Sequence, residues 1–120
     1  MNFKTFLLIL SVFAIISCGD DGSPTLEITS PENGATYFPG DAFTIVATFT
    51  DDVGLASVRA ESELFAEPFN ETYSDNRLSD TFELTITLSA ATPVGEYDIL
   101  LTVTDTDSNT DTETLTISVE

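Results

Sequence analysis

The chain has 120 residues, with 21 Asp and Glu against three Lys and Arg and a formal net charge of −18 at pH 7. A surface this negative repels phosphate backbones and anionic headgroups, which argues against nucleic-acid binding and against electrostatic adhesion to a membrane. With no histidine and one cysteine, the sequence offers no imidazole base, no Ser-His-Asp or Cys-His nucleophile pair, none of the usual zinc ligand sets and no intrachain disulfide.

Residues 1–17 read as a secretory signal: Met1 to Lys4 is a short basic n-region, and Phe6 to Ile16 is an apolar run broken only by Ser11. That run is shorter than the roughly 20 apolar residues a membrane span needs. It closes on Ile15-Ile16-Ser17-Cys18, where Cys18 is the sole cysteine. This stretch resembles the lipobox of bacterial lipoproteins. The resemblance implies cleavage before Cys18, a thioether-linked diacylglycerol on its sulfur and an N-acyl chain such as palmitate. The alternative is a periplasmic protein with a stray thiol, but an unpaired cysteine in an exported chain needs an explanation and lipidation supplies one. All the acids follow Cys18 while Lys4 precedes it, so Arg59 and Arg77 are the only basic side chains of the mature chain.

Residues 18–25 continue as a flexible tether, Gly-Asp-Asp-Gly-Ser-Pro-Thr after the cysteine, with a reach of about 20 Å when extended. Its pair Asp20 and Asp21 resembles the export signal of Bacteroidota-type lipoproteins. That likeness implies the outer membrane and leaves the surface and periplasmic leaflets both open.

From residue 26 to 120 the apolar residues recur with period 2 in short bursts, the mark of half-buried strands, and this patterning excludes disorder despite the acidity. Leu26 and Ile28 open a first strand that ends at Pro31. Phe43, Ile45, Ala47 and Phe49 share one face of a second. After the turn Asp51-Asp52-Val53-Gly54, the residues Val58, Ala60, Ser62 and Leu64 form a third. Residues 66 to 80 are irregular and hold one weak edge strand near Glu71 to Ser74. Phe82, Leu84, Ile86 and Leu88 face inward on the strongest strand; Tyr97, Ile99, Leu101 and Val103 follow on another; Leu115, Ile117 and Val119 form the last.

About seven short antiparallel strands without helices predict an all-β, two-sheet sandwich of immunoglobulin-like topology in one domain over 26–120. Gly95-Glu96-Tyr97 resembles the tyrosine corner of such sandwiches, which implies a phenol hydroxyl bonded back to the backbone. Val103-Thr104-Asp105 with its polar turn and threonine-rich last strand resembles the ends of cadherin-like, PKD-like and bacterial Ig-like repeats. The stretch from Phe38-Pro-Gly-Asp41 through Asp51 to Val58 is similar to Ig-like domains of surface lipoproteins. The antibody-type cysteine pair and buried tryptophan are absent from the sequence, which excludes an antibody-type domain.

Two constellations are candidate sites. Asp105, Asp107, Asn109, Asp111 and Glu113 place oxygen ligands at every second position, as hard cations prefer, and Asp51 and Asp52 fall at the same pole of the expected sandwich. An EF-hand is excluded because Thr110 and Thr116 stand where its glycine and bidentate glutamate belong. By resemblance to cadherin-like domains, calcium held by Asp51, Asp52, Asp105, Asp107, Asn109 and Asp111 would stiffen the tether. A solvated hairpin turn explains the same residues without a metal. The second constellation is aromatic: Phe65, Phe69 and Tyr73 lie in the irregular segment, as a surface for proteins or sugars or as a cap on the open end of the core. Asn70-Glu71-Thr72 matches a glycosylation sequon to which we assign no role.

The leading function is a lipid-anchored module of the cell envelope that binds another envelope protein or serves as a structural accessory, without catalysis. A calcium- or carbohydrate-binding surface module is the alternative. A carboxylate-pair glycan hydrolase would need two carboxyls across a cleft that so small a sandwich scarcely provides.

Overall fold

The computed structural model describes residues 22–120. The expected signal segment 1–17, the lipidation candidate Cys18 and the pair Asp20 and Asp21 lie outside the described residues. The described chain forms eight strands: β1 (Thr25–Ser30), β2 (Thr36–Tyr37), β3 (Ala42–Thr50), β4 (Leu55–Ser62), β5 (Phe69–Thr72), β6 (Ser79–Thr87), β7 (Gly95–Asp105) and β8 (Thr110–Val119). They build a three-stranded sheet in the order β1-β3-β6 and a five-stranded sheet in the order β2-β8-β7-β4-β5. No helix occurs among the described residues.

The period-2 pattern decides which face of each strand is buried. On β3, Phe43, Ile45, Ala47 and Phe49 are all buried while the threonines between them face outward. Their counterparts on the facing sheet are Val58 and Ala60 of β4, Ile99, Leu101 and Val103 of β7, and Leu115, Ile117 and Val119 of β8. The core therefore lies between the two sheets as one cluster. Each fully buried aliphatic side chain in it contributes about 1.5–3 kcal/mol relative to an exposed one.

The β3–β6 ladder is the longest unbroken pairing of the smaller sheet, running from Ala42 opposite Thr87 to Thr50 opposite Ser79. Leu88 N–H donates to Asp41 O at one end and Asp51 N–H to Leu78 O at the other. Bonded pairs alternate along an antiparallel ladder, so the even-numbered residues of β6 turn their backbone groups toward β3 and the odd-numbered ones turn theirs away.

The sandwich predicted from the sequence is the one observed, with three local differences. An eighth strand, β2, is two residues long and pairs parallel with Ser118 and Val119 of β8. It is too short to produce an alternation in the sequence. The third predicted strand stops at Ser62, where Phe65 N–H donates to Ser62 O and Leu64 N–H to Ser62 Oγ, so Leu64 sits in a turn. The weak edge strand occupies Phe69–Thr72, two residues earlier than expected, because Phe69 pairs with Ala60 and its ring packs at 5.3 Å on that of Phe82.

Candidate functional site

The acidic pole is built from two turns that hold one another. In the β3–β4 turn, Asp51 Oδ2 accepts the N–H groups of Val53 at 2.9 Å and Gly54 at 2.8 Å. Gly54 adopts φ +155°, and a Cβ there would meet Asn76 Cα at 3.3 Å, so the turn needs glycine at this position. In the β7–β8 turn, Asp105 Oδ1 accepts the N–H groups of Asp107 and Asn109, each at 2.8 Å, and Oδ2 accepts Asn109 Nδ2 at 3.1 Å. Thr106 N–H donates to Gly54 O at 2.9 Å and ties the two turns together.

Asp105 is 1% exposed. Burial acts to raise its pKa, but the backbone and side-chain hydrogen bonds from Asn109 and the N–H of Asp107 outweigh it and hold the carboxyl below its ordinary value. Asp51 is also buried, and its Oδ1 has no hydrogen-bond partner among the described residues.

The other members of the predicted cation set are arranged differently. Asp111 Oδ2 accepts Leu26 N–H at 3.1 Å and so fastens the start of β1 to β8. Asp52 and Asp107 are exposed, and Asn109 is spent on Asp105. The chain enters the fold at this pole, for a Cβ on Gly22 would lie 3.7 Å from Asp52 Oδ1. The six residues thus share one end of the sandwich, but among the described residues no three carboxylates are grouped so as to hold a metal ion.

The three aromatic candidates do not form one patch. Tyr73 belongs to a polar clasp at the start of β6. Its hydroxyl donates to Asp80 Oδ2 at 2.8 Å, and the guanidinium of Arg77 lies 4.6 Å from its ring centre. Arg77 in turn binds Asp75 at 2.9 Å and Asp80 at 3.4 Å. Burial, followed by the hydrogen bond to Asp80 and its negative charge, drives the Tyr73 pKa well above its usual value.

Phe65 and Phe69 instead line a groove of about 340 Å³ along the outer edge of β6, together with Leu64, Pro68, Leu84 and Ile86. Both rings are half-buried and pack against the core, which makes them walls of the groove. Leu84 and Ile86 were placed by the sequence on the inward face of their strand, but nothing in the alternation shows that this strand ends a sheet. That placement is what opens the groove. A larger groove of about 480 Å³ on the opposite side runs between β1 and β8 and carries Glu27, Glu32 and Glu113.

Tyr97, at the start of β7, donates its hydroxyl to Pro93 O at 2.7 Å. This is the backward bond of a tyrosine corner at the turn into the sixth strand of an Ig-like sandwich. Residues 24–120 match the family model described as bacterial Ig domain. The chain belongs to the bacterial Ig domain family. No curated protein sequence matches it. Among solved structures it is similar to the fibronectin(III)-like modules of Clostridium thermocellum CbhA, at 18% identity and TM-score 0.58, covering 79% of this chain and 94% of that one. It is also similar to a Niemann-Pick type C2 protein from Japanese carpenter ant, at 15% identity and TM-score 0.52, covering 86% and 96% of the two chains. Identities this low carry the fold alone. Among the described residues, the bacterial Ig domain here departs from an all-antiparallel sandwich only at the short parallel contact of β2 with β8.

Proposed function

We propose that this chain is a lipid-anchored module of the bacterial cell envelope that acts by binding or as a structural accessory and performs no catalysis. The observation that carries the reading is the stretch Ile15-Ile16-Ser17-Cys18 at the end of an apolar export segment, placed shortly before an Ig domain that begins at residue 24. Acylation of Cys18 would fix an otherwise water-compatible, strongly acidic sandwich to the outer membrane, since the domain's charge repels anionic lipid. The two buried carboxyls, Asp51 and Asp105, serve turns and do not face a groove, which supports a non-catalytic role.

The partner in this reading is another envelope protein. A glycan is the second candidate, favoured by the rings of Phe65 and Phe69 beside Glu67 in one groove. Acylation is tested by growing cells that express the full chain with an alkyne-tagged fatty acid. The chain should take up the tag and fractionate with membranes, and Cys18→Ser should abolish both. Equal membrane association of the Cys18→Ser variant would refute the anchor.

A further inference from the structure

We infer that the outer edge of β6 is a docking edge for an extended, basic segment of another protein, which adds a strand to the smaller sheet and seats alternate apolar side chains in the groove beside Phe65 and Phe69. The inference rests on the binding-module reading and names its site and the chemistry of its partner.

The edge is long and its backbone is directed outward. Among the described residues β6 ends its sheet, and its nine residues pair only with β3. The bonds of Leu88 to Asp41 and of Asp51 to Leu78 fix the alternation. The N–H and C=O groups of Thr81, Glu83, Thr85 and Thr87 therefore point away from β3, and an added strand can pair with them. The other outer strands are less suited: β5 has four residues, β2 has two, and the entry of β1 is fastened to β8 by the Leu26–Asp111 bond.

The groove supplies the side-chain half of the recognition. Side chains alternate across a strand, so every second residue of an added strand would continue the inward row of Phe82, Leu84 and Ile86. Across the gap stand Leu64, Phe65, Pro68 and Phe69. An apolar side chain placed there would bury surface on both sheets and close the open flank of the sandwich. A sugar would use the ring faces, but both rings are packed into the core wall, and the free groups beside them are a strand's backbone.

Charge selects the occupant. Glu83 lies at the centre of β6 on its solvent face, and Glu63 and Glu67 flank the turn that precedes β5. A second copy pairing antiparallel about the middle of β6 would set Glu83 against Glu83 and join two chains of formal charge −18, an arrangement like-charge repulsion opposes. A segment alternating lysine or arginine with valine or isoleucine places a cation across from Glu83 and its apolar face in the groove.

The test uses the full chain and a synthetic nine-residue peptide alternating lysine and valine, matched to the nine residues of β6. Titration calorimetry should detect binding that weakens as salt is raised, and the peptide should slow amide hydrogen exchange at Thr81, Glu83, Thr85 and Thr87. The same peptide with glutamate in place of lysine should not bind. Thr85→Pro removes an outward N–H that β3 does not use, a position where an edge strand tolerates proline, and should weaken the peptide by at least about tenfold. If that variant melts well below the native chain, the exchange pattern of the native chain decides alone. The inference is overturned if the peptide does not bind, if it binds without protecting those four amides, if a folded Thr85→Pro chain binds it unchanged, or if an oligosaccharide or a second copy occupies the groove in its place. Any of these leaves acylation at Cys18 untouched, which is read separately by fatty-acid incorporation.

Discussion

The Tyr97 hydroxyl reaches back to the carbonyl oxygen of Pro93 at 2.7 Å and fixes the angle at which the chain enters β7. The bond spans the bend between the smaller sheet, which the chain leaves after β6, and the larger one. Tyr97→Phe should cost about 1 kcal/mol, the net value of one hydrogen bond, and lower the melting temperature of a domain this size by about 4–8 °C. Circular dichroism on heating checks it; an unchanged melting temperature would remove the corner from the list of stabilising contacts.

Acid should loosen the pole where the chain enters. The carboxyl of Asp105 titrates below its ordinary value in the folded state, so its contribution is complete above the unfolded value of about 3.9 and is lost as the pH falls through the lower folded value. Asp105→Ala should melt several degrees below the native chain at neutral pH, and the gap should narrow as both are acidified below about pH 3.9. A gap that stays constant with pH would mean the loss comes from packing alone.

The fold was largely legible because its signal is local. Alternation along β3, β6, β7 and β8 fixed which residues enter the core, and Ile45, Ile99 and Ile117, each expected inside, are fully buried. What the sequence left hidden is set by neighbours across space. Phe65 and Phe69 stood out by composition, but their groove exists because β6 ends a sheet, and strand order is not written in any single strand. Spacing placed Asp105, Asp107 and Asn109 in one turn; it did not show that Asn109 and the N–H of Asp107 would spend themselves on Asp105. Tyr73, grouped with Phe65 by nearness in sequence, is drawn off by Arg77 and Asp80.

Asp51 offers a sharper test of the acidic pole. Asn at this position keeps an acceptor for the N–H groups of Val53 and Gly54 and puts an amide donor in place of the buried, unpartnered oxygen. Asp51→Asn should therefore raise the melting temperature or leave it unchanged, whereas Asp51→Ala, which strands the buried Gly54 N–H, should cost about 1–3 kcal/mol. Asp105 and the Oδ2 of Asp51 are already spent on turn N–H groups, so millimolar calcium should leave the native melting temperature where it is. A rise following RT ln(1 + [L]/Kd), abolished in Asp51→Asn, would establish a calcium site at this pole.

At alkaline pH the sensitive element should be the Tyr73 clasp. Its phenol ionises well above its usual value because it is buried and bonded to Asp80, so the stability it contributes is complete below the unfolded value of about 10 and is lost as the pH rises toward the folded one. Tyr73→Phe should melt lower than the native chain at neutral pH and lose less between pH 9 and about 11. Parallel losses in the two chains would place the alkaline transition elsewhere.

The most direct measurement is mass spectrometry of the N-terminal peptide of the chain recovered from bacterial membranes. The account predicts that the mature chain begins at Cys18 and carries a diacylglyceryl group on sulfur and an acyl group on its amine. A chain cut elsewhere, or beginning at Cys18 with a free thiol and a free amine, would contradict the anchor and with it the proposed address in the envelope.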